Sequence, residues 1–125
     1  MNLTKVQQFI LFTLGMSTDE LNRRVAGKPL EITLSKAGFI ELAMKSGIVG
    51  KKERALYKNL EMLEKKKLIT YRIKAIHLTE RGKKWFAESQ TALQPYITAQ
   101  DLLSTHNLIQ YTRKARIELA VGNNG

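Results

Sequence analysis

A change of apolar period within residues 51–78 restricts the fold more than any other feature. Leu56, Leu60 and Leu63 recur at helical spacing inside a strongly helical stretch, Lys51 to Lys66. Two β-branched and aromatic runs then follow at once, Leu68 to Ile73 and Ile76 to Leu78. Only Lys74-Ala75 separates them, which predicts a very tight hairpin directly after a helix. Lys-Ala is poor chemistry for such a turn, whose two residues need positive φ.

The rest of the chain reads as helices around this unit. Thr4 can cap a first helix to about Met16, striped by Val6, Phe9, Ile10, Thr13 and Leu14. Leu11 and Phe12 lie off that stripe and predict cover on more than one side. Ser17 and Glu20 have capping-box spacing, so a separate short helix is expected through Arg24. Ala26 to Pro29 reads as a loop and Leu30 to Leu34 as a short strand. Ser35 can cap a helix through Lys45, with Phe39, Ile40, Ala43 and Met44 on one side and Gly47 closing it. Thr79 can cap a helix carrying Trp85, Phe86, Ser89 and Leu93, expected to stop before Pro95. Thr98 would then cap a last helix ending near Val121-Gly122. The expected class is mainly α with a small β-hairpin (α+β). Residues 1–95 would form one domain, 96–122 a C-terminal helix and 123–125 a disordered tail.

Charge is distributed as unevenly as apolar period. Residues 51–84 hold twelve Lys or Arg against four Glu, most of the net +10 of the 125 residues. A field so concentrated attracts a polyanion and displaces its counterions. The plain alternative is a solvated charged helix face.

Several chemistries are absent. Without cysteine there is no disulfide, thiolate metal site or Cys nucleophile, which fits a reducing cytoplasm. His77 and His106 are far apart and lack partners at ligand spacing, so no metal is expected. Trp85 and Phe86 sit where core periodicity requires apolar residues. No catalytic set, cofactor motif or small-molecule site is evident, and an enzyme is not expected. The apolar stretch Phe9 to Leu14 is too short to span a bilayer, so no membrane partner is expected either.

From Leu42 to Ile69 the chain reads LAMKSGIVGKKERALYKNLEMLEKKKLI, and it continues Ile76-His77-Leu78-Thr79-Glu80-Arg81-Gly82. This resembles the winged helix-turn-helix transcription regulators. The match lies in Leu42-Ala43, Gly47 in the turn, Leu56, Leu60 and Leu63, Lys67-Leu68-Ile69 entering the hairpin, and an LTxxG start to the next helix. It covers roughly residues 30 to 93. The turn after Gly47 is about three residues longer than the commonest spacing, and Lys67 stands where many members have glycine.

The resemblance implies a helix whose N-terminal half enters the major groove of double-stranded DNA. At 100° per residue, Lys51, Arg54, Ala55, Lys58 and Lys65 fall opposite the leucines, with Tyr57 on the flank. Arg54, Ala55, Tyr57 and Lys58 would then meet base edges, Arg54 with a guanine. Lys51, Lys52 and Lys65 would sit on phosphates, and Arg72 and Lys74 at the hairpin tip would touch backbone or minor groove. The hairpin's shortness argues against deep insertion. Tyr57 and Tyr71 stacking on single-stranded bases is a minority reading.

Leu108, Tyr111, Ala115 and Leu119 make a stripe on the last helix that needs cover, as terminal helices of many such regulators find in a homodimer. The expectation is a nucleoid-associated, homodimeric DNA-binding regulator. The alternatives are a sequence-neutral architectural chromatin protein and a winged-helix protein-interaction module.

Overall fold

Thr4 opens the first helix, α1 (Lys5–Arg24), with a complete capping box: its hydroxyl accepts the Gln7 N–H, and the Gln7 side chain accepts the Thr4 N–H. The computed structural model describes residues 2–28, 32–105 and 108–111. α1 is a single helix, not the two expected. The Ser17 hydroxyl donates to the Thr13 carbonyl at 2.7 Å and that of Thr18 to Leu14 at 2.9 Å, so both side chains bond back along the helix instead of starting a new one. Glu20 pairs with Arg23 and Arg24, not with the backbone at Ser17.

The second helix, α2 (Lys36–Ser46), forms as its end signals predict. The Ser35 hydroxyl accepts the Gly38 N–H, and Gly47 closes the helix at φ 76°, where glycine has no Cβ penalty. The expected strand at 30–34 is not formed in its described residues, 32–34; residues 30 and 31 lie outside them. Instead Leu34 accepts the Ile76 N–H and Lys36 donates to the Lys74 carbonyl, around an isolated bridge from Ser35 to Ala75. Pairing stops there because Ser35 is already the cap of α2.

A strand not anticipated, β1 (Ile48–Lys51), occupies the long turn before the third helix, α3 (Glu53–Lys65). The antiparallel hairpin follows: β2 (Ile69–Arg72) and β3 (Ala75–Leu78), in register Ile69–Leu78 to Arg72–Ala75. The chain is thus mainly helical with a small two-stranded antiparallel sheet, an α+β fold.

Leu56, Leu60 and Leu63 are buried as their spacing predicts. They share one core with Ile10, Leu11 and Leu14 of α1, Phe39 and Ala43 of α2, and Leu68, Ile69 and Ile76 of the hairpin. Each buried leucine contributes about 1.5–3 kcal/mol, which fixes the rotation of α3 about its axis. The buried polar side chain of Gln7 is satisfied by Asn59 and Lys66 of the α3 region, at 3.3 and 3.1 Å.

The last helix, α4 (Glu80–Thr105), runs through Pro95 instead of stopping before it. The exposed proline costs the helix one N–H donor without ending it. Thr98 therefore lies inside α4, accepting from the Gln94 side chain, and caps no new helix. The chain divides into two compact units, Met1–Ala92 and Leu93–Gly125. In the second, α4 from Leu93 is followed by a 3-10 turn, Leu108–Tyr111.

Candidate nucleic-acid interface

The leucine register decides what α3 offers to solvent. Arg54, Lys58, Glu61 and Lys65 are exposed, and Tyr57 is 43% exposed. Ala55, expected to point outward, is half-buried beside the leucine stripe. Lys51 was expected at the start of this helix but ends β1, and Lys52 is the N-cap. The reason is local: Gly50 turns the backbone at φ 66° inside β1, with its N–H on the Gly47 carbonyl, and the helical bonds begin only with Lys52 accepting from Ala55 and Leu56. No side chain caps this helix start.

Among the described residues the carboxylates that form ion pairs are Glu20, Glu41 and Glu80, with Arg23 and Arg24, Lys45, and Lys83. Hydrogen bonds from Arg24 and Arg23 hold Glu20 below the usual carboxylate range, and Lys45 does the same for Glu41. None of these pairs uses a cation of α3 or of the hairpin tip. Lys52, Arg54, Lys58, Arg72 and Lys74 keep their charge facing solvent.

The hairpin turn is Ile73-Lys74, one residue earlier than the sequence suggested. Both residues have positive φ, 51° and 62°, as a two-residue hairpin turn demands. Ala75 pairs with Arg72 and is only 5% exposed, while Ile73 is 98% exposed. Shifting the register to bury Ile73 would carry Ile76 out of the core, so the core wins over turn chemistry.

A cleft of about 540 Å³ joins the three parts. Ser35, Lys36, Ala37 and Ile40 of the α2 end line it together with Tyr57 of α3 and Lys74 of the tip. The Lys36 ammonium sits 4.7 Å from the centre of the Tyr71 ring, a cation–π contact. Burial, with the charge of Glu64 second, raises the Tyr71 phenol above its usual value of 10.0, so it stays neutral beneath that lysine. Sequence reading missed Lys36. It stands alone after the Ser35 cap, outside the basic run, and only the folded chain brings it beside Lys74.

The Lys65-Lys66-Lys67 run lies elsewhere, around a recess lined also by Asn2 and Arg81. Lys66 has a structural task there, donating to the Asn2 carbonyl at 2.7 Å and to Gln7.

Of the residues expected at a dimer contact, Leu108 and Tyr111 fall in the 3-10 turn, and Ala115 and Leu119 lie outside the described residues. His106 lies outside them too, and His77 is half-buried in β3. No cluster of three or more His, Asp or Glu suited to a metal occurs among the described residues. Among them, too, no helix is long and apolar enough to cross a membrane. In comparisons with known proteins, the chain matches no family model, no curated protein and no solved structure.

Proposed function

We propose that this chain is a winged helix-turn-helix protein that binds double-stranded DNA sequence-selectively, as a homodimeric transcriptional regulator. The observation that carries this reading is the shared cleft. Tyr57 on the flank of α3 and Lys74 of the hairpin tip line one surface with Lys36, so helix and tip can meet one ligand together. The unpaired cations Lys52, Arg54 and Lys58 supply the charge, and Arg54 supplies a planar fork for a guanine edge. Arg72 and Lys74 then reach phosphates or the minor groove.

The second unit supports the dimer. Leu93, Tyr96 and Leu103 fall within roughly 80° of one another on a helix, and Tyr96 and Leu103 are 74% and 61% exposed. A stripe of that kind is suited to a second copy of the helix.

Selection of bound sequences from random duplex DNA tests the reading. A regulator yields a palindromic winner whose half-sites are one helical turn apart, about 34 Å. Retention without enrichment identifies an architectural binder, and absence of duplex binding at low salt removes DNA altogether.

A further inference from the structure

Among the described residues Ile73 is the most anomalous. It is β-branched at φ 51°, where side chains of that shape are strained, and it buries nothing in return, being 98% exposed. Asn-Gly would suit the Ile73-Lys74 turn far better. The burial of Ala75 and Ile76 fixes where the turn falls, but that register does not require an isoleucine at its first position, and the side chain there is free for a contact outside the fold.

We infer that Ile73 is an apolar wedge that enters the DNA minor groove and partly unstacks one base step, so that the protein deforms the duplex it binds. This rests on the proposed DNA binding and adds a mechanical consequence to it. The neighbours fit the task. Arg72 and Lys74 flank the isoleucine, both exposed and neither in an ion pair with a carboxylate, and their charges suit the phosphates on either side of the groove. Lys36, in the cleft behind the tip, adds a third cation. Isoleucine is among the side chains used to wedge open base steps, and pyrimidine–purine steps yield most easily. The shortness of the hairpin is no obstacle, because a wedge needs one side chain in the groove and not the whole hairpin. An anionic membrane is a poorer occupant. A single isoleucine inserts far less apolar area than an amphipathic helix does, and its surroundings are ionic.

The test uses the full chain and a relaxed closed-circular plasmid, with binding and topology read on the same samples. Unstacking untwists the duplex, so the wild-type protein plus a topoisomerase should shift the topoisomer distribution in proportion to coverage. Ile73→Asn should raise the thermal midpoint, because asparagine accepts positive φ. It should weaken plasmid binding by roughly tenfold and abolish the topoisomer shift even when protein is added to equal coverage. Ile73→Leu should keep the shift. An equal shift from Ile73→Asn, or none from the wild type despite full coverage, overturns the wedge and leaves DNA binding intact. No plasmid binding by the wild type overturns both readings.

Discussion

The Thr79 hydroxyl donates to the Lys67 carbonyl at 2.6 Å and accepts the Gly82 N–H at 3.0 Å. One side chain thereby caps α4 and ties it to the base of the hairpin. Lys67 itself closes α3 at φ 61°: its N–H reaches the Glu64 carbonyl and the Leu68 N–H the Leu63 carbonyl, the paired bonds of a Schellman end. Lys67→Gly, which removes the Cβ penalty at that φ, should stabilise the fold by about 0.5–1 kcal/mol in urea unfolding. A loss of stability would show that the lysine side chain holds more than its backbone costs.

Gly82 is the other half of that junction. A Cβ there would stand 2.2 Å from the Leu68 carbonyl oxygen, a backbone atom that cannot step aside. Gly82→Ala should cost about 2–3 kcal/mol, read as a lowered urea midpoint. At Gly15 a Cβ would meet the Phe86 ring at 2.3 Å, and a side chain can be trimmed. Gly15→Ala should therefore destabilise alone and be partly rescued by Phe86→Leu, a coupling that a double-mutant cycle measures.

These junctions mark how far the sequence was legible. Thr4, Ser35, Gly47 and Thr79 act as the caps their residue types suggest, because a cap depends on neighbours within a few positions. Ser17, Pro95 and Thr98 carry equally plausible end signals but lie inside helices that continue through them. Local preference there yields to the rest of the helix. The hairpin turn was misplaced by one residue for the same reason: the burial of Ala75 and Ile76 sets the register, and Ile73-Lys74 accepts the strain. Within the site, the outward direction of Arg54 and Lys58 followed from three leucines. The cleft with Lys36 did not, since it depends on how α2 meets the hairpin.

Base readout by α3 should be separable from charge. Arg54→Ala should cost roughly 1–3 kcal/mol on a selected site and far less on random duplex. Equal losses on both would make Arg54 a phosphate contact. Glu61 shares the exposed side of α3 with Lys58 and Lys65, and its carboxylate opposes a polyanion. Glu61→Gln should tighten binding to any duplex, as titrations at fixed salt would record.

If the second unit makes the dimer, Tyr96→Glu with Leu103→Glu should yield monomers by sedimentation. Affinity for a palindromic site should fall, while a single half-site is bound as before. An unchanged sedimentation coefficient would move the contact away from α4.

Duplex binding measured across salt concentrations tests the central claim most directly. With about three phosphates neutralised by each subunit of a dimer, log K should fall against log salt with a slope of about −5. An affinity for duplex DNA that does not change with salt would contradict the account.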